Sequence, residues 1–459
     1  MGTAEKRQKK EVRNYTEGCI PKQLILFALP FMASNAMQVL YSLVDMMVVG
    51  KYVGSYGLSA VSTASQIFTF ATMLCMGLST GGQVYIAQLV GADKKDVISK
   101  TVGTMFSVLI MMGIALSAVI LIFGNQLLHL LNTPPESYEM SSGYLVVCGI
   151  GLIFSFGYNM VSAVFRGLGD SRHPFLFIML ASVVNLVLDL VFTGALQWGV
   201  PGAALATIIG QALSFLCALF YLYRNRARYD LEFRREDFHI QKEILVPLTE
   251  LAIPFAISSC AINISMMFVN RMINGLGVYA SATFGVGCKL DDIINKVSQG
   301  IMLALSPMVG QNLAAKKPER VKKLVYWAWG YSAVFYLLFT IVYLIFNRQM
   351  FGLFTDDANV IELAPVFVYA IVWSFPSMAL MRGSNGFVQG IGYAKLSMVL
   401  GILDGFVLRI VFSYLFGVVL ETGLFGFVLG YGMASYGSTI PSTIYFLSGR
   451  WKKRKSLVE

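Results

Sequence analysis

Charged residues are scarce in this chain of 459 residues. Only 13% are Asp, Glu, Lys or Arg, whereas 56% are apolar, and soluble domains carry about 25% charged residues. The mean hydropathy is +0.67. So few charges cannot cover the surface of a soluble domain, and so apolar a chain does not remain disordered. The composition therefore excludes both classes and predicts an integral membrane protein.

Patterns typical of metal, disulfide and nucleotide sites are also absent. The six cysteines and three histidines lie singly along the chain, and no cysteine is in CxxC spacing with another. This argues against a disulfide framework, a zinc site or a haem. There is no Walker A motif, and the basic loop with Gly167 and Gly169 follows no strand. We therefore expect no enzyme, no cofactor and no direct use of ATP.

Long apolar runs are what the sequence does contain. A membrane-crossing helix needs about 20 mostly apolar residues, and the runs lack the period-two alternation of membrane barrel strands. Only helices satisfy their own backbone in lipid, so the predicted fold class is an all-α membrane protein with twelve transmembrane helices. The predicted spans are 24–49, 58–88, 101–123, 140–164, 174–196, 201–223, 248–270, 281–312, 324–346, 361–381, 396–419 and 423–447.

Basic residues are distributed unevenly between the two sets of connecting segments. The leader, the even-numbered loops and the tail hold 29 Lys and Arg, and the opposite set holds three. Cytoplasmic loops are the basic ones, so both termini are predicted to be cytoplasmic in a multi-pass cell-membrane protein. The net charge of +10 comes from these cytoplasmic loops, whose basic residues set the topology and contact anionic lipid. We expect the bilayer and a small-molecule substrate as partners, no nucleic acid, and a monomer.

The chain also repeats itself. FALPF at 27–31 reappears as LAIPF at 251–255, AQLVGADKKDV matches GQNLAAKKPERV, and RGLGD matches QGIGY, all at offsets of 223 or 224. Each half holds six spans, which predicts two six-helix bundles related by a parallel repeat. The predicted divisions are a leader 1–23, a first lobe 24–223, a linker 224–247, a second lobe 248–447 and a basic tail 448–459.

Charges inside the spans of the first half point to a coupling site. A charge in mid-bilayer costs at least about 2.5–3.5 kcal/mol, and this half places Asp45 and Asp189 at similar depth. Asn185 shares a helix face with Asp189, and Thr207 is level with both acids. Two neighbouring carboxylates cannot both ionise cheaply in a low dielectric, so the pair is expected to hold one proton or one sodium ion. Pro30 is predicted to kink the first span.

The second half carries more charges, and two interpretations of them stay open. Either they form a self-neutralising network that holds the lobe together, or some of them line the cavity and select the charge of the substrate. The spacings Lys289/Asp292 and Asp292/Lys296 permit pairing on one helix face. The charges concerned are Lys289, Asp291, Asp292, Lys296, Asp404 and Arg409.

Over residues 16–448 the sequence resembles the MATE (multidrug and toxic compound extrusion) transporters. The resemblance rests on FALPF, LYSLVDMMVVG, the pair AQLVGADKK and VGQNLAAKK, FRGLGDSRHP, and VVNLVLDLVF followed by GVPGAALAT. It implies efflux of amphipathic or cationic compounds by antiport with H⁺ or Na⁺, through two lobes that alternate in a rocker-switch. The alternative function is a flippase for a lipid-linked oligosaccharide or cell-wall precursor. A channel and an enzyme fit less well.

The resemblance also implies roles for particular residues. The coupling site of the DinF-like and archaeal branches is similar to Asp45, Asn185, Asp189 and Thr207, with Pro30 as the bending proline. The NorM-like branch instead uses acids in spans 7 and 10. The similar positions here are neutral, near Asn263 and Ser377.

Overall fold

The computed structural model describes residues 14–131 and 133–458, and this part of the chain is helical without any strand. Twelve long helical segments follow one another and are numbered in chain order. They are α1 (Ile20–Tyr52), α2 (Ser55–Gly91), α3 (Lys95–Leu130), α4 (Pro135–Gly167), α5 (Arg172–Ala195), α6 (Gly199–Arg224), α7 (Lys242–Asn274), α8 (Val278–Ala314), α9 (Pro318–Gly352), α10 (Ala358–Gly390), α11 (Ala394–Val419) and α12 (423–447).

The twelve predicted spans are confirmed, each lying within one of these helices to within one residue. Most helices run several residues beyond the predicted ends, because a helix continues after the apolar run that identified it has stopped. Ten of the twelve are long and apolar enough to cross a membrane by themselves. The exceptions are α8, which carries charges in its middle, and α12, which consists of the two pieces Gly423–Met433 and Tyr436–Leu447.

The internal repeat is visible in the helix bounds and in the turns. Helices α2 and α8 are both 37 residues long and begin 223 positions apart. The turns after them each contain a non-glycine residue in the left-handed region, Asp93 in one half and Lys316 in the other. Gln197 and Glu421 are a second such pair, before α6 and α12. The duplication therefore extends to the backbone conformation of the connections.

The packing of the chain divides it into two units of similar size. The first unit contains Met37–Ala252, and the second contains Gly18–Ala36 and Ile253–Leu457. The division differs from the predicted lobe boundaries in α1 and α7, because a long helix can pack against different neighbours along its length. The first half of α1 belongs to the second unit, where the backbone of Met32 lies 2.5 Å from the position of a Cβ added at Gly300.

Several helices depart from regular α geometry. The last six residues of α5, Leu190–Ala195, form a π-helical turn, and α11 contains two more, Leu403–Leu408 and Leu415–Val419. Such turns are rare and often accompany functional sites. Pro30 lies within the continuous α1, and the Ser34 hydroxyl donates a hydrogen bond to its carbonyl.

In the first unit, the loop between α4 and α5 is fastened by a buried carboxylate. Asp170 accepts hydrogen bonds from the backbone N–H groups of Arg172 and His173, from the His173 ring and from the Tyr229 hydroxyl. Burial acts to raise the pKa of Asp170, but the hydrogen bonds from His173 and Tyr229 and the charge of His173 outweigh it. Its pKa is therefore held below the usual value, so the ionised carboxylate stabilises this loop.

Candidate functional site

Helices of the first unit bring the four predicted coupling residues together. Asp45 lies on the second half of α1, Asn185 and Asp189 on α5, and Thr207 on α6. Each of Asp45, Asp189 and Thr207 is six to eight residues from the nearby helix end. At 1.5 Å per residue this is about 10 Å along the helix axis. The shared depth explains how side chains from three helices meet.

The two carboxyl groups lie close together. Asp45 of α1 and Asp189 of α5 are near enough for their charges to interact. Asp189 is 1% exposed and Asp45 is half-buried. The Oδ1 atoms of both residues are buried and accept no hydrogen bond from any described residue. The pair therefore presents two buried oxygen atoms that are available to a cation.

Neutral oxygen and nitrogen groups surround the acids. The Asn185 side chain lies one helical turn before Asp189, and its Nδ2 donates to the Thr207 hydroxyl at 3.3 Å. A cavity of about 10 Å³ lies beside them, lined in part by Tyr41 and Ser182. That is room for about one water molecule or a small ion. Carboxylate, amide and hydroxyl oxygens are ligands that hard cations prefer, so these residues fit either a proton or Na⁺.

Three further residues near the acids were missed in the sequence. Tyr41 is in electrostatic contact with both Asp45 and Asp189, and Tyr144 and Cys148 of α4 are in electrostatic contact with Asp45. Tyr41 could have been found, since it precedes Asp45 by four positions and shares its helix face. The two α4 residues carry no comparable signal in the sequence.

In the second unit, Asp404 and Arg409 form a buried ion pair. Their side chains are 10% and 9% exposed, and Nη2 of Arg409 lies 3.4 Å from Oδ1 of Asp404. The Ser438 hydroxyl donates to the other carboxylate oxygen at 2.9 Å. The guanidinium also stacks over the Tyr431 ring, 4.8 Å from its centroid. This part of the predicted charge set neutralises itself inside the lobe.

Asp291 of α8 also faces the interior of the second unit. It accepts a hydrogen bond from Asn295 at 2.8 Å and is in electrostatic contact with Arg382 and Arg409. Arg382 donates to Asn295 Oδ1 at 2.6 Å and to the Ser298 hydroxyl at 2.9 Å. Because the tenth span was predicted to end at residue 381, Arg382 was expected in the following loop, which is wrong. It is buried within α10, because the helix continues to Gly390 after its apolar run has ended.

The remaining charges of α8 lie on its exposed side. Lys296 pairs with Asp292 at 3.1 Å, so one of the two permitted pairings forms. Lys289 is exposed and makes no ion pair with any described residue. Asn263 and Ser377 lie at the positions similar to the acids of the NorM-like branch. The Asn263 amide donates to the Ser259 carbonyl, and the Ser377 hydroxyl donates to Thr439.

Comparison with known proteins identifies the family of this chain. The MatE family profile matches residues 30–191 and again 254–415, which reproduces the offset of 224 read from the sequence. The chain belongs to the MatE family. It is therefore a transporter and not an enzyme, and the resemblance and the duplicated all-α membrane fold are confirmed.

Known relatives match most of the chain. A probable multidrug resistance protein of Bacillus subtilis, YpnP, is 30% identical over 450 residues, covering 97% of this chain and 99% of that protein. The multidrug export protein MepA of Staphylococcus aureus is 24% identical over 84% of both chains. A crystal structure of MATE in the straight conformation has a TM-score of 0.91, 22% identity and coverage of 97% and 100%. A crystal structure of MATE in the bent conformation has a TM-score of 0.88 and 22% identity, and the match covers 96% of this chain and 98% of that chain.

Proposed function

We propose that this protein is a multidrug efflux transporter of amphipathic small molecules, cationic ones among them, driven by antiport with H⁺ or Na⁺. The observation that carries the proposal is the proximity of the Asp45 and Asp189 side chains, each with a buried carboxylate oxygen open to a cation. The names of the relatives in Bacillus and Staphylococcus support the substrate class.

The acid pair supplies a physical reason for coupling. Two carboxylates about 4 Å apart repel each other by about 4 kcal/mol at an effective dielectric of 20. One proton or one Na⁺ removes that repulsion, so its arrival or departure changes the free energy of this pocket by a similar amount. A ligand shifts a conformational equilibrium only through such a difference between states. We propose that this difference drives alternating access, with Pro30 allowing α1 to bend.

We place the protein in the cell membrane with both termini in the cytoplasm and expect it to act as a monomer. The excess of Lys and Arg in the leader, the even-numbered loops and the tail supports the orientation. A flippase for a lipid-linked precursor remains the alternative. It would need a basic site for a phosphate headgroup, whereas the pocket of the first unit is acidic.

Transport in proteoliposomes tests the proposal. Wild type, Asp45→Asn and Asp189→Asn are compared under an imposed proton or sodium gradient, with export of a fluorescent amphipathic cation as the readout. Glu139→Gln is the matched control, since Glu139 is an exposed acid of the same unit. We expect both Asn variants to stay folded and lose gradient-driven flux, and the control to keep it. Full coupled flux in the double Asn variant would refute the assigned site.

A further inference from the structure

The exposed face of α8 carries its charges in the middle of a membrane helix. Lys289, Asp292 and Lys296 are spaced three and four residues apart and are all exposed on one side of the helix. They lie 11 to 18 residues after Val278 in a helix of 37 residues. Each charge would be costly if it met lipid there. This face therefore meets water.

The apolar residues of α8 lead to the same conclusion. From residue 280 to 314, α8 exposes no large apolar side chain. The neighbouring α9 exposes many, among them Leu337, Leu338 and Ile345, as a helix in contact with lipid does. The charged face of α8 is completed by Ala282 and Gly285, which offer lipid almost no apolar surface.

The repeat shows that two of the three positions of this face are polar in both halves but charged in only one, whereas the third, Lys296, corresponds to Met73. At the offset of 223, Lys289 and Asp292 correspond to Gln66 and Thr69 of α2, which are also exposed. The shared polarity is expected of a helix face that lines a water-filled transport path. The second unit has added charge to this face, and the buried Asp291 of the Arg382 network is in electrostatic contact with Asp292 of the face.

The arrangement of the charges leaves one cation unpaired. Asp292 is engaged by Lys296 at 3.1 Å, whereas Lys289 makes no ion pair with any residue in the described ranges. The face therefore has a net charge of +1, centred on a primary ammonium group. An ammonium group on a wet surface attracts a carboxylate and repels a cation.

We propose that the α8 face of Lys289, Asp292 and Lys296 is a substrate-contact surface on which Lys289 binds the carboxylate of acidic or zwitterionic amphiphiles. The inference rests on the proposed transport function and narrows its substrate class. The carboxylate pairs with Lys289, and the Asp292–Lys296 pair holds the remaining charges of this face in balance. The first-unit acids stay reserved for the coupling ion.

Equilibrium binding of two matched dyes tests the proposal. The probes are a rhodamine with a free benzoate group and the methyl ester of the same dye, measured by fluorescence polarisation with purified protein and no ion gradient. We expect Lys289→Gln to weaken binding of the acid dye about tenfold, the effect of one charge-assisted hydrogen bond. Its effect on the ester should be much smaller. Lys289→Arg should restore binding of the acid dye, since it restores the charge.

Two further variants test the same surface by a change in the opposite direction and by a control. Asp292→Asn releases Lys296 and raises the positive charge of the face, so binding of the acid dye should tighten. Lys395→Gln removes an exposed lysine at the start of α11 and serves as the matched control. Should Lys289→Gln fail to fold, the tightening in Asp292→Asn still decides the matter.

Three results would overturn the proposal: no binding of the acid dye by wild type, equal weakening of both dyes in Lys289→Gln, or no tightening in Asp292→Asn. Flux of the acid dye under a gradient is measured separately. Charge-selective binding without gradient-driven flux would leave the binding surface intact and refute the transport function instead.

Discussion

The buried Asp404–Arg409 pair of α11 allows a quantitative prediction. At 3.4 Å and an effective dielectric of 20, the attraction between the two charges is about 5 kcal/mol. Removing one partner leaves the other charge buried and alone, which typically costs about 3–5 kcal/mol. We therefore expect Asp404→Asn to destabilise the second unit by about that amount.

Arg409→Gln should cost more than Asp404→Asn. The guanidinium also stacks over Tyr431, and a desolvated cation–π contact contributes about 2 kcal/mol. It is also in electrostatic contact with Asp291, which would lose a counter-charge. The double variant should cost less than the sum of the two single variants, because neither charge is then left without its partner.

Thermal unfolding of purified protein in detergent measures these effects. For a unit of about 200 residues, 1 kcal/mol shifts Tm by about 2–4 °C, so each single variant should lower Tm by about 10 °C or more. Variants that remain folded at the assay temperature should bind both rhodamine dyes like wild type. Shifts below about 2 °C with additive effects would refute the structural assignment of this pair.

Three further predictions concern the loops and the surface. Asp170→Asn should lower Tm by several degrees at pH 7. Because the pKa of Asp170 in the folded protein lies below its unfolded value of about 3.9, the stabilisation is lost as the pH falls through the folded pKa. A Tm difference between wild type and variant that persists undiminished at pH 3 would contradict this. Gly103→Ala places a methyl group 2.0 Å from the carbonyl oxygen of Asp237, so it should destabilise by about 1–3 kcal/mol and make the 235–238 segment sensitive to limited proteolysis. Lys452→Ala breaks only the exposed ion pair with Glu319, and its Tm should match wild type within about one degree.

The fold could be predicted from the sequence because the bilayer imposes helix length and internal hydrogen bonding on every apolar run. The helix ends were less predictable, as Arg382 shows, since a helix stops where its backbone conformation changes and not where its apolar residues run out. The π-helical turns of α5 and α11 left no recognisable pattern. They depend on how each helix packs against its neighbours, and this packing does not follow from the sequence alone.

The candidate site divides in the same way. Depth along a helix follows from counting residues, so Asp45, Asp189 and Thr207 could be placed at one level in advance; their role in coupling stays a prediction. Rotation about the helix axis does not follow from counting, and for that reason Tyr144 and Cys148 of α4 were missed. On α8, residue spacing allowed Asp292 two partners, and only the structure shows that it pairs with Lys296.

The left-handed turn residues Asp93 and Lys316 have a consequence for how such a chain diversifies. A non-glycine residue in this conformation is unfavourable by about 1–2 kcal/mol, yet both copies of the ancestral segment keep it with side chains of opposite charge. The backbone conformation of these turns is thus the same in both halves, although the side chains differ. Each half can therefore change the charge of its turns while the backbone bends stay in place, so a duplicated chain can vary the surface of one copy without altering its fold.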